Sequence, residues 1–520
     1  MLGCTVSPKG DSMKQRLSPE ENRKAWLLAA LIVLAMLTLC ALGLFLFVRI
    51  GQTADASLPQ ASAELRAAAK ELDRITIDAS FDPDRSVLTG TQELLLTNRT
   101  GQDHSYAVLR SYSGAYLSED TSPMATEEMF MSCYGDMFVS GGLRLKSAQV
   151  DGQSILTRWA DSAQTVLFVP AAWKAGETIR VTLNWEIIIP DCASRFGVQS
   201  DIWAIGNAFP TPAVWENGAW RTEEVTAIGD PFLSECLNWS VHLTLPAAYQ
   251  AAASAYADPM VSGTMARYDF EALASRDFAL VISDRFTRLQ RMAGNTLLTA
   301  FAQSDSAAGA MLDSAEKALG SFASRWGNYV YPALTLTEVD FPFGGMEYPG
   351  LVMIASDALR SGGESLANAV AHETAHQWWA VQTGSDSWYQ PWQDESLCEY
   401  AMLCYIGDHA GLSARENAEY HRIETALRIT TASTVTPGCP LDYFSDFSEY
   451  STMVYRRGAA LWLALENFMG EEKLHAALKD YHERYRFSIA SREDLTAVLS
   501  EHAGMDLSPL MADYLDTEMN

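Results

Sequence analysis

Basic residues are scarce in this 520-residue sequence, where 37 Lys and Arg stand against 65 Asp and Glu for a formal net charge of −28. A chain this acidic is excluded from roles that rest on neutralising phosphates, so nucleic acid is not expected as a partner. The acidic exterior reads first as a well-solvated surface, with a weak pull on cationic ligands as a second consequence. Cysteine is sparse too. Eight are scattered along the chain, none at zinc-binding spacing and none in a pattern that identifies disulfide partners. Cys398 and Cys404 fall six apart on an expected helix, poorly aligned to bridge each other. No period of ~20–50 residues recurs, which excludes solenoids and propellers. Apolar residues, in contrast, are plentiful: 48% of the chain is hydrophobic and 10% aromatic, enough for two or three domains with full cores.

Charge is missing altogether from Ala25 to Val48. At ~1.5 Å per residue this run spans ~36 Å, enough to cross a hydrocarbon layer of roughly 30 Å. Lys9, Lys14, Arg16, Arg23 and Lys24 precede it, and only Arg49 and Arg66 follow closely. The basic flank is expected in the cytoplasm and everything after Gly51 outside it. The run is too long for the core of a cleaved signal peptide and lacks an Ala-x-Ala site. Leu39 stands before Cys40 where a lipidation signal needs a small residue. The expected order is therefore a cytoplasmic tail (1–24), a single transmembrane helix (25–48) and a flexible stalk (49–69). Asn98-Arg-Thr and Asn238-Trp-Ser are formal glycosylation sequons.

Beyond the stalk, period-2 alternation dominates. Ile75, Ile77, Ala79 and Phe81 share one strand face, as do Ile179, Val181, Leu183 and Trp185, and Val241, Leu243 and Leu245. Residues 70–285 are thus expected to form a β-rich domain. After that the period changes. Met311, Leu312, Ala315, Ala318, Leu319 and Phe322 make one helical stripe. Strands are expected at Tyr329–Val339 and Leu351–Ala355, and helices from Gly363 onward, giving an α+β chain whose mainly helical second domain covers 286–520.

The chemistry concentrates in His372-Glu373-Thr374-Ala375-His376, preceded by good helix formers. A spacing of four puts both imidazoles on one helix face, where they can reach one ion. Glu373 projects about 100° round the helix, placed to hold a water without filling the coordination shell. Glu395 follows His376 by 19 residues, a gap that fits a loop through Gly384 and a return on a second helix. Two His and one Glu with one open position form the catalytic Zn2+ pattern, one ion per chain. Asp394 and Glu399 are candidates to orient the imidazoles from behind.

The arrangement resembles the gluzincin zinc peptidases of the membrane alanyl aminopeptidase family, which carry HExxH, eighteen residues and then Glu. Two flanking segments extend the resemblance. Upstream stands Gly344-Gly345-Met346-Glu347-Tyr348-Pro349-Gly350, similar to the family's Gly-x-Met-Glu-Asn strand, with Tyr348 in place of Asn. Downstream, Tyr455-Arg456-Arg457-Gly458 resembles Tyr-x-Lys-Gly, with Arg457 in place of Lys. Gly229-Asp-Pro-Phe-Leu-Ser-Glu is similar to part of the family's β-rich amino-terminal domain. The resemblance implies a saddle-like β domain followed by a thermolysin-like catalytic domain. It implies further that Glu347 binds a substrate's free α-amino group, that Gly344, Gly345 and Met346 lie along the substrate, and that Tyr455 donates to the oxyanion while Glu373 moves the proton. Tyr450 reads chiefly as a core aromatic. Two departures stand out: no large carboxy-terminal domain follows, and residues 190–235 hold no clear Gln-containing amine-binding stretch.

The expected function is zinc-dependent removal of N-terminal residues from peptides outside the cytoplasm. The alternatives are a membrane-anchored zinc endopeptidase and a catalytically silent binding ectodomain, which would show erosion of Glu373, Tyr455 or a metal ligand.

Overall fold

The computed structural model describes Glu20 and residues 59–124, 126–428 and 434–517. The expected tail, the apolar run 25–48 and residues 49–58 of the stalk lie outside the described residues. Among the described residues no helix is long and apolar enough to cross a membrane. The stalk expectation fails at its carboxy-terminal end. Ala63–Ala69 is a helix capped by Ser62, with Leu65 buried among Cys236, Ala274 and Tyr331.

Alternation builds the first half as expected. Arg74–Asp82 buries Ile75, Ile77, Ala79 and Phe81 on one face. It pairs antiparallel with Val87–Thr97 and parallel with Leu237–Pro246 at the centre of an eight-stranded sheet. Two four-stranded sheets, one built from Gln250–Ala253, Leu280–Ser283, Ile202–Ile205 and Phe196–Gln199, and a two-stranded ribbon accompany it. A single apolar cluster containing Trp185, Trp239 and Phe270 draws residues from all three sheets.

The strand Ile202–Ile205 is buried on both faces and so joins two cores. Trp203 and Ile205 point into the β-rich core, while Ile202 and Ala204 join a cluster with Met346, Tyr348 and Met353. Those last residues belong to a five-stranded sheet ordered Thr287–Ala293, Thr296–Ala302, Ala333–Val339, Leu351–Ala355, Gly345–Tyr348. Gly345–Tyr348 is its edge strand, antiparallel to Leu351–Ala355. The expected strand from Tyr329 starts only at Ala333. Pro332 has no N–H for a ladder, and Tyr329 and Tyr331 turn instead into the small cluster around Leu65.

Helices cover this sheet. Asp305–Trp326 is capped by Ser304, whose hydroxyl accepts from Ala307 N at 3.2 Å, and buries the stripe read from the sequence. It packs on Gly363–Ala375, which packs in turn on Trp392–Ala410, and one cluster containing Trp326, Trp378, Trp392 and Trp462 fills the space between them.

Both sequons are sealed by their own packing. Asn98 is 1% exposed with its amide donating to Gln102 O and Trp173 O, and the Asn238 amide donates to Ala69 O at 2.7 Å. Neither nitrogen can carry a glycan in the folded chain. The six described cysteines are free thiols; Cys398 and Cys404 are both buried and unbridged.

Gly206 follows directly on the strand that joins the cores. A Cβ there would lie 2.0 Å from the Tyr348 hydroxyl oxygen and 2.3 Å from its ring carbon. Gly206→Ala is therefore expected to lower stability by about 1–3 kcal/mol, read as a melting-temperature shift. Tyr348→Ala should absorb part of that loss in a double-mutant cycle; strict additivity would contradict the contact.

Candidate metal centre and substrate cavity

The helix Gly363–Ala375 ends as His376 begins a tight turn, and Trp392–Ala410 starts after Pro391 with Glu395 in its first turn. The two helices bring three donor atoms together. His372 Nε2 and His376 Nε2 are 3.2 Å apart, and Glu395 Oε2 lies 3.2 Å from each. A tetrahedral ion with bonds of ~2.0–2.1 Å sets its ligand atoms roughly 3.3–3.4 Å apart, so this triangle has the dimensions of a zinc site.

The other ring nitrogens explain why the triangle needs a cation. His376 Nδ1 sits 3.1 Å from Trp379 O, a carbonyl that can only accept, so Nδ1 carries the proton and Nε2 a lone pair. His372 Nδ1 faces Glu399 Oε1 at 3.6 Å. Glu399 is in turn gripped by Arg422, at 2.7 and 3.1 Å. Two imidazole lone pairs and a carboxylate oxygen thus converge in a site where all three residues are buried. A metal ion at the centre of the triangle satisfies all three donor atoms at once.

Of the two residues expected behind the imidazoles, Glu399 fills the role and Asp394 does not. Asp394 accepts from Ser385 Oγ at 3.1 Å and from Glu395 N at 2.8 Å, fixing the start of the second helix. These donors tie it to the helix start, and it makes no hydrogen bond to either ring, although the His376 charge acts on it.

The remaining expected residues line one cavity of ≈ 390 Å³ with the metal triad. Glu373 is buried, and a Cβ on Gly345 would come within 2.6 Å of its carboxylate, so a larger residue there would push that side chain aside. Gly344 and Met346 reach the same cavity. Burial and the Glu347 charge push the Glu373 carboxyl well above its ordinary range. Glu347 itself is pushed up to about 8 by burial, with Asp230 and Glu395 adding to the rise. Tyr455 stacks on the His372 ring with centroids 5.8 Å apart and 17° between planes. It sits in a π-helical turn, Ser451–Arg457, a distortion that often marks functional sites. Tyr450 is fully buried edge-on against Tyr455 and lines the same cavity.

Several residues in and around the cavity have roles that the sequence does not show. Asp230 places a carboxylate within 4.8 Å of those of Glu347 and Glu395, and it is ion-paired to Arg195. Its segment, Gly229-Asp230-Pro231, is distinctive, but nothing in its spacing connects it to a helix 140 residues away. Tyr348, the departure from the expected Asn, donates to Asn207 Oδ1 at 2.6 Å, and Asn207 donates to Asp277 at 2.8 Å. Gln377, just past the second histidine, holds the edge strand to the metal helix. Its amide donates to Tyr348 O at 3.1 Å, and its oxygen accepts from Gly350 N at 3.0 Å.

Glu399→Gln keeps the shape behind His372 but removes the charge that Arg422 and the imidazole share. Metal affinity is expected to fall about 10–100-fold, measured by competition with a calibrated chelator. An unchanged affinity would remove Glu399 from the site.

Comparison with known proteins agrees with this geometry. The peptidase family M1 domain matches residues 311–514. Aminopeptidase M1-B of Oryza sativa subsp. japonica is 29% identical over 39% of this chain and 25% of its own length. Aminopeptidase N of Lactobacillus delbrueckii subsp. lactis is 26% identical over 39% of this chain and 26% of its own. The chain thus spans about a quarter of the length of these curated relatives. The M1 zinc metallopeptidase of Deinococcus radiodurans superposes with a TM-score of 0.62 at 17% identity, covering 85% of this chain and 93% of that one. Residues 311–514 thus match the peptidase family M1 domain, and the chain shares its fold with the M1 zinc metallopeptidase of Deinococcus radiodurans.

Proposed function

We propose that the chain is a zinc aminopeptidase that hydrolyses the first peptide bond of substrates with a free amino terminus. The observation that carries this reading is the carboxylate pair Glu347 and Asp230 beside the metal triad. Glu347 has no hydrogen-bond or ion-pair partner among the described residues. A half-buried carboxylate raised this far is stabilised by an arriving cation, and a peptide's α-ammonium is the cation that fits. With the ammonium held there, the first carbonyl falls next to His372, His376 and Glu395. An endopeptidase would have to bury the same unmatched charge against an uncharged amide.

Bound zinc would supply the Lewis acidity that polarises the scissile carbonyl and acidifies a water. Glu373 accepts the proton of the attacking water and delivers it to the departing amine. Its high affinity for a proton suits the second half of that task. The Tyr455 hydroxyl donates to the oxygen on which charge develops, a contribution of about 10²–10³ in turnover. Gly345–Tyr348 is an edge strand, with one side unpaired by its own sheet and available to a substrate backbone. Water and peptide balance against a free amino acid and a peptide shorter by one residue.

A site outside the cytoplasm belongs to the same reading, supported by the uncharged run 25–48 and its basic flank. Externally added protease should remove the ectodomain from intact cells; full protection would refute that location.

The enzymatic test uses the full chain with aminoacyl and N-acetyl-aminoacyl fluorogenic peptides. Free amines should be cleaved at least about 10²-fold faster than their acetylated forms, and Glu373→Gln should lose about 10²–10⁴-fold. Equal cleavage of blocked peptides would make this an endopeptidase, and a folded, zinc-loaded chain without turnover would be a binding ectodomain.

A further inference from the structure

Three arginines line the cavity around the metal triad, and they differ in one respect. Arg195 is ion-paired to Asp230, and Arg422 holds Glu399 through two hydrogen bonds. Arg456 lines the same cavity with neither a hydrogen-bond nor an ion-pair partner among the described residues. It follows Tyr455 directly in the π-helical turn. A π turn rotates less per residue than an α turn, so neighbouring side chains share a wall more readily. Arg456 is half-buried, and a guanidinium there has lost part of its hydration without a protein anion to replace it.

The unmatched charges of the cavity form a pattern. Among the described residues Glu347 is a carboxyl without a hydrogen-bond or ion-pair partner beside His376 and Glu395, and Arg456 a cation without one next to Tyr455, whose ring lies on His372. The two charges therefore reach the cavity from different elements, the edge strand and the π-helical turn. A ligand that satisfies both carries an ammonium at one end and a carboxylate at the other. A cavity of ≈ 390 Å³ lies near the small end of the range for bound small molecules, which suits a short peptide better than a long one.

We infer that Arg456 is a specificity-determining residue that binds a carboxylate on the leaving side of the scissile bond. This inference rests on the aminopeptidase reading and deepens it. The carboxylate is either the free carboxy terminus of a dipeptide or an acidic side chain at the second position. Both present the planar, two-oxygen geometry that a guanidinium binds through paired hydrogen bonds. Arg456 acts in binding; proton transfer stays with Glu373.

The test measures kcat and KM for the full, zinc-loaded chain with four substrates sharing one first residue X. These are X-Ala, X-Ala-amide, X-Asp-amide and X-Lys-amide. X-Ala is expected to exceed X-Ala-amide by about ten-fold in kcat/KM, chiefly through KM, if the terminal carboxylate is the ligand. X-Asp-amide is expected to exceed X-Lys-amide by about the same factor if the side chain is. Arg456→Gln should collapse whichever preference is found, Arg456→Lys should keep part of it, and Arg456→Glu should reverse it toward X-Lys-amide. Calorimetric binding of X-Ala and X-Ala-amide to Glu373→Gln protein gives a readout free of turnover, with the same preference expected. Equal handling of all four substrates, or a preference that survives Arg456→Gln, would overturn the inference and leave the aminopeptidase reading standing. Absence of turnover on all four would overturn both.

Discussion

Three electron pairs converge where the Gly363–Ala375 helix meets the start of Trp392–Ala410, each about 3.2 Å from the others. The His376 Nδ1 proton faces Trp379 O, and Glu399 stands 3.6 Å from His372 Nδ1. A doubly charged ion at its centre would take all three electron pairs as ligands. Much of the surrounding structure serves that constraint. Asp394 and Ser385 fix the helix start that presents Glu395, and Arg422 holds Glu399 in place behind His372.

The substrate side is held by different forces. The edge strand bearing Glu347 is fastened to the metal helix by Gln377 and to the β-rich half by apolar packing of Met346 and Tyr348 against Ile202 and Ala204. The position of Glu347 relative to the metal therefore depends on a strand some 150 residues earlier in the chain. Gly206 and Gly345 mark the two closest approaches, one against the Tyr348 ring and the other against the Glu373 carboxylate. A single methyl group at either would move the strand or the general base. Stability and site geometry are thus coupled through the same few contacts.

What could be read in the sequence follows from interaction range. His372, Glu373 and His376 share one helix, so their spacing alone implies a joint task. Glu395 needed only one return of the chain. Strand faces such as Ile75 to Phe81 were legible because burial repeats every second residue. Sequence proximity to Glu395 says nothing about which donors a first-turn carboxylate meets, and Asp394 bonds Ser385 and the Glu395 backbone rather than a ring nitrogen. Asp230 and Asn207 were invisible as site residues because the sheets alone bring them to the cavity. The linker expectation overran by a helix, since Ala-rich polar sequence between 63 and 69 has no period long enough to show that Leu65 is buried. Both sequons match a motif whose asparagines the fold has sealed by backbone hydrogen bonds.

The central claim is that this chain's triad is a zinc site whose ligands require the ion. It is tested most directly by dialysing the full chain against chelator and against zinc, then recording metal content and melting temperature together. The account expects one zinc per chain and a melting temperature that falls on chelation and recovers with zinc. A ligand held at 100 times its Kd contributes about 2.7 kcal/mol. His376→Ala should lose both the metal and the shift. A chain that melts at the same temperature with and without zinc, or that keeps one zinc after His376→Ala, would contradict it.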